Sequence, residues 1–115
     1  MARVVICDDS RVMRRLLRRA LEEAGHVIVG EAQNGQEGVN LYKKLKPDVM
    51  TMDINMPLLS GLEATKEIRR EFPVAKVIIV SSMGQKWYMD AAREAGAKGF
   101  LVKPFSSKEL RAAIC

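Results

Sequence analysis

Cysteine is scarce in this chain, with two among 115 residues, and there is a single histidine. Cys7 sits inside an apolar run and Cys115 is the last residue, which is no disulfide framework. Without a His/Cys cluster there is no zinc-type ligand set. No apolar run approaches the roughly 20 residues needed to span a bilayer. Met1 leads directly into a short apolar segment and an acidic pair, unlike a secretory signal. Repeats, linkers and low-complexity tracts are also missing. The expectation is a reduced, soluble, cytoplasmic single domain covering residues 1–115, and 48% hydrophobic with 29% charged residues is enough to build a real core.

One imbalance stands out, a net charge of +5 with a sequence pI near 9.5. A surplus of this kind can mark a nucleic-acid or anionic-surface partner, or serve solubility alone. Much of it is concentrated in Arg11, Arg14, Arg15, Arg18 and Arg19.

Short apolar or β-branched runs alternate with longer stretches of helical period. Arg3–Cys7 reads as a strand, followed by a helix over about 10–24. In that helix Val12, Met13, Leu16, Leu17, Ala20, Leu21 and Ala24 form one apolar stripe, with the arginines largely off it and Gly25 as terminator. A second strand runs to about Ala32, and Asn34-x-x-Glu37 opens a helix that stops before Pro47. Residues 49–52 form a third strand, and the capping box Ser60-x-x-Glu63 opens a helix to about Glu71. Residues 77–80 form a fourth strand, with a helix over about 85–95 closed by Gly96. Residues 98–102 form a fifth strand, and Ser106-x-x-Glu109 opens a last, short helix. Five such units predict an α/β fold, an open, doubly wound parallel sheet with helices on both faces.

In such sheets ligands bind beyond the carboxyl ends of the strands. Asp8 and Asp9 follow strand one, Asp53 follows strand three, Ser81 and Ser82 follow strand four, and Lys103-Pro104 follows strand five. Singly, each has an ordinary explanation: Asp9 or Ser10 as a helix cap, a serine in a loop, a solvated lysine. Jointly, three acids and a base at strands one, three and five point to a site, because carboxylates beside a core strand are costly unless paired or metal-bound. The oxygen donors of Asp8, Asp9 and Asp53 suit Mg²⁺. Asp53, alone at the end of the central strand, is the candidate nucleophile toward a phosphoryl group, and Asp8-Asp9 is the candidate metal clamp. Lys103 and a serine hydroxyl would bind the remaining phosphoryl oxygens.

Cys7-Asp8-Asp9-Ser10, Asp53-Ile54-Asn55-Met56-Pro57 with Gly61, Ser81-Ser82 and Lys103-Pro104-Phe105 resemble the signature of response-regulator receiver domains over essentially the whole chain. Within that family, Ser81-Ser82-Met83-Gly84-Gln85 resembles the stand-alone chemotaxis regulators most. The resemblance implies a flavodoxin-like five-stranded sheet of order 2-1-3-4-5. It implies Asp53 as phosphoacceptor, with Asp8, Asp9, Asp53 and the Asn55 backbone carbonyl holding Mg²⁺. Ser81 would be the switch hydroxyl, Lys103 the phosphate-binding lysine preceding a cis Pro104, and Phe100 the switch aromatic. It further implies a sensor histidine kinase as phosphodonor. An output protein such as a flagellar switch component would dock on the face of the fourth helix, fifth strand and fifth helix, where Lys86, Trp87, Tyr88, Lys98 and Lys108 lie. Adjacent Trp87 and Tyr88 cannot both face the core, so one of them is expected to be exposed.

Three departures qualify the resemblance. Ser81 replaces the frequent Thr but keeps a hydroxyl, Phe100 lacks a tyrosine hydroxyl, and the last helix is short. The chain therefore also fits a receiver excised from a longer regulator with another output. Two other classes compete. An aspartyl phosphatase acting on small substrates would need a cap or insertion, and a D-x-D acid, that the chain does not carry. A nucleic-acid binder using the first-helix arginines would need a recognition motif to accompany them. The expected protein catalyses its own phosphorylation and dephosphorylation without multiple turnover on small substrates.

Overall fold

The structure is a computed structural model and describes residues 1–114, so Cys115 lies outside the described residues. Five βα units follow one another: β1 Arg3–Cys7, α1 Arg11–Glu23, β2 Val27–Ala32, α2 Gly35–Leu45, β3 Val49–Met52, α3 Gly61–Glu71, β4 Val77–Ser81, α4 Lys86–Ala95, β5 Gly99–Val102 and α5 Ser107–Ile114. The strands form one parallel sheet in the order β2-β1-β3-β4-β5, as expected.

The three inner strands are apolar and almost wholly buried because helices cover both their faces. Val5, Cys7, Met50, Met52, Val77 and Ile79 point to one side, where they pack on Val39 and Tyr42 of α2, Ile68 of α3 and Ala92 of α4. The alternate residues Val4, Ile6, Val49, Ile78 and Val80 point to the other side, onto Leu17 and Leu21 of α1 and Leu110 and Ile114 of α5. This period-two division of each strand gives two cores separated by the sheet.

Local sequence explains where the helices start. Ser10, Asn34 and Ser60 each accept a hydrogen bond from the amide three residues on, at Met13, Glu37 and Glu63. Ser106 and Glu109 complete a reciprocal capping box, with bonds of 3.0 and 3.1 Å. Such caps contribute about 1 kcal/mol each. The fourth helix starts at Lys86, and its cap residue Gln85 makes no side-chain capping bond.

The apolar stripe of α1 needs correction. Leu17 and Leu21 are buried, but Val12 and Leu16 are 70% and 54% exposed. The stripe is wider than the contact that one outer helix can make with the sheet, so its flank faces solvent beside the α5 approach. Trp87 and Tyr88 divide as expected. Trp87 is 67% exposed, while Tyr88 packs against the core and meets the indole edge-on at 4.7 Å.

Candidate active site at the carboxyl edge of the sheet

Parallel strands all end on the same edge, so residues distant in sequence meet there. Asp8, Asp9 and Asp53 each place a carboxylate oxygen within 4.8 Å of the others. Lys103 enters from the end of β5, its Nζ 2.8 Å from Asp8 Oδ2 and 3.8 Å from Asp53 Oδ2. Asp8 is 1% exposed, and its Oδ1 also accepts the Ser10 amide at 2.9 Å. Asp53 Oδ1 accepts the Ile54 amide at 2.9 Å, which leaves Oδ2 toward the cluster.

Three carboxylates face one ammonium here, and the imbalance shows in Asp53. Burial first, then the Asp8 charge, push its pKa up to about 6, while Lys103 and the Ile54 amide pull the other way. A cluster of hard oxygen donors with uncompensated negative charge fits a hard divalent cation, and no nitrogen or sulfur ligand competes within it.

Ser81 closes β4 and is 1% exposed. Its Oγ accepts the Met83 amide at 3.0 Å, so its hydroxyl proton stays available to donate. The Ser81 carbonyl accepts the Lys103 amide at 2.8 Å, which ties the two loops together, and Lys103-Pro104 is cis. Phe100 pairs with Ile79 across the β4–β5 ladder. It is half-buried and lines a hollow of about 300 Å³ with Met89, Ala92 and Lys98. Asn55 lies in the exposed turn after Asp53.

That turn is pinned by close backbone approach. A Cβ at Gly61 would lie 1.8 Å from the Asp53 carbonyl oxygen, and one at Gly35 would lie 2.1 Å from that of Leu59. Gly61 also donates its amide to Ile54 O at 2.8 Å. Both helices can therefore start against the loop that carries Asp53 only because these positions lack a side chain.

Sequence reasoning missed Gly35, Glu31 and Arg14. The arginines of α1 lie largely off its apolar stripe, yet the Arg14 side chain is only 12% exposed. It donates from Nη1 to the Asp8 carbonyl at 2.7 Å and pairs with Glu31 at 3.1 Å. An arginine at a helical spacing carries no mark distinguishing this role from solvation.

The architecture and acidic edge together define an α/β domain with a carboxylate-rich pocket that could hold a cation. Residues 4–115 match the family model described as the response regulator receiver domain. The chemotaxis protein CheY of Thermotoga maritima is 47% identical over 112 residues, which cover 97% of this chain and 93% of that protein. The transcriptional regulatory protein PdtaR of Mycobacterium tuberculosis is 41% identical over 97% of this chain but only 54% of its own length. Among solved structures, a CheX-CheY-BeF3-Mg complex from Borrelia burgdorferi superposes with a TM-score of 0.94 at 30% identity, covering 97% of this chain and 85% of that one. The chain belongs to the response regulator receiver domain family of two-component signalling. Within it the chain is CheY-like.

Proposed function

We propose that residues 1–115 act as a single receiver unit that takes a phosphoryl group from the phosphohistidine of a sensor kinase onto Asp53. The observation that carries this reading is the convergence of Asp8, Asp9 and Lys103 on the Asp53 carboxylate. Asp53 Oδ2 attacks phosphorus, the donor P–N bond breaks, and an acyl phosphate forms on Asp53. Asp8, Asp9, Asp53 and the Asn55 carbonyl would hold Mg²⁺, which supplies charge neutralisation to the carboxylate and phosphoryl oxygens. Lys103 leaves Asp8 to bind a phosphoryl oxygen, and Ser81 donates its free hydroxyl proton to another.

The signal is a population shift. As Ser81 closes on the phosphoryl group, the β4–α4 segment follows, and Phe100 turns inward. The remodelled face of α4, β5 and α5 docks the output protein, with exposed Trp87 at its rim. Chemotaxis or motility control through a partner such as a flagellar switch component is the output we favour, in the cytoplasm, without direct nucleic-acid binding. The identity to chemotaxis regulators over nearly their whole length supports this. A second reading, a receiver belonging to a longer regulator with another output, draws support from the PdtaR likeness, where this chain spans about half of the relative. In both readings the protein modifies itself and does not turn over small substrates.

The test is incubation with Mg²⁺ and radiolabelled acetyl phosphate. Base-labile label on the wild type that is absent from Asp53→Asn is the expected result. Equal labelling of that variant would refute the site.

A further inference from the structure

The five arginines of α1 differ in what they touch. Arg14 alone reaches the acidic edge, and it does so through the main chain. Its Nη1 meets the Asp8 carbonyl, the oxygen of the peptide that joins the two acids. The preceding peptide is anchored separately, by the Asp8 amide on Ala32 O at 3.0 Å. Both peptides flanking the Asp8 Cα are thus fixed, one by β2 and one by α1. The carboxylate of Asp8 has further partners in Ser10 and Lys103. Asp9 is exposed, and the side-chain bonds at this edge go to Asp8 and Asp53 instead. The direction of the Asp9 side chain therefore depends on the orientation of the Asp8–Asp9 peptide.

Glu31 makes an arginine tolerable in this place. It stands opposite Ile6 on β2 and accepts Arg14 Nε through Oε1 at 3.1 Å and Arg18 Nη2 through Oε2 at 2.7 Å. The Arg14 charge is offset where it enters, so a donor is delivered to the acid pair with its positive charge largely compensated.

We infer that Arg14, held by Glu31, is a positioning residue that sets the Asp8–Asp9 peptide for divalent-cation binding. The inference rests on the proposed receiver chemistry but concerns a residue outside the ligand set. Hydrogen-bond partners that orient metal-ligating residues typically change metal affinity about 10–100-fold when lost.

Charge and position predict opposite signs, which makes the test sharp. Removing a cation beside a Mg²⁺ site strengthens binding by Coulomb's law alone, whereas losing the anchor weakens it. Mg²⁺ affinity is read by isothermal titration calorimetry on wild type, Arg14→Met, Arg14→Lys and Arg18→Met, each checked for folding by urea titration. Arg18→Met is the matched control, since it removes the same charge from the same Glu31 without touching Asp8. The expected result is about a tenfold loss in Arg14→Met, partial recovery in Arg14→Lys, and unchanged or tighter binding in Arg18→Met. Binding by Arg14→Met at least as tight as wild type, or equal losses in Arg14→Met and Arg18→Met, would overturn the inference while leaving the receiver chemistry standing. Absence of Mg²⁺ binding by the wild type would overturn both. Should Arg14→Met fail to fold, Arg14→Lys decides: a weaker Mg²⁺ affinity at conserved charge supports the anchor, and wild-type affinity refutes it.

Discussion

Replacing Asp53 with Asn should stabilise the metal-free protein, although it abolishes the proposed chemistry. The carboxyl group titrates near 3.8 when unperturbed and is pushed up to about 6 in the fold. A raised pKa in an acid means that folding favours its protonated form. Below about pH 3 the group is largely neutral in both states and costs little. As pH rises from about 3 through 6 the unfolded chain gives up this proton while the folded state holds it, so folding is progressively disfavoured, and above about pH 7 the full penalty applies. Two units correspond to about 3 kcal/mol, and solvent screening at this partly open edge reduces that to about 1–2 kcal/mol. Asn keeps an oxygen acceptor for the Ile54 amide, and Lys103 keeps its 2.8 Å bond to Asp8. The net change should therefore be dominated by relief of the buried charge, first of its desolvation and then of its repulsion by Asp8. Urea unfolding in chelator at pH 7.5 should show a midpoint about 1 M higher for Asp53→Asn. At pH 4.5 the gain should shrink to about a third, following the linkage relation. Added Mg²⁺ should reverse the order, since it binds the intact acid cluster in the folded state and stabilises it by mass action. Equal or lower stability of the variant at pH 7.5, or a gain that persists unchanged to pH 4.5, would refute the electrostatic reasoning.

Gly61→Ala would drive a Cβ to 1.8 Å from the Asp53 carbonyl, so thermal unfolding should show a loss above about 2 kcal/mol together with slower acetyl-phosphate labelling. Lys103→Met leaves Asp8 buried without its 2.8 Å ammonium partner; stability in chelator should fall by about 2–3 kcal/mol and recover in part with Mg²⁺, as chemical denaturation at both conditions would show. Thr51 Oγ1 is the one buried side-chain polar atom without a partner among the described residues. Thr51→Val should therefore raise stability by about 1 kcal/mol with labelling unaffected, and a destabilised variant would show that the hydroxyl is satisfied.

The order of elements, the helix caps and the set of acidic and basic residues brought to the carboxyl edge were legible in the chain itself. Caps and strand runs are local: Ser10, Asn34, Ser60 and Ser106 sit three residues before the amides they bind, and the inner strands are continuous apolar runs. The site was legible for a topological reason, because every strand of a parallel sheet delivers the residue after it to the same edge. Tertiary structure alone decided which face of α1 is covered, leaving Val12 and Leu16 exposed on a stripe that periodicity assigns to the core. It alone revealed that Gly35 and Gly61 are demanded by carbonyls of residues 59 and 53, distances no spacing rule encodes. It also separated Arg14 from the arginines beside it. Helical period sets where a side chain leaves the backbone, but what it meets depends on a neighbouring strand, here the Glu31 carboxylate and the Asp8 carbonyl.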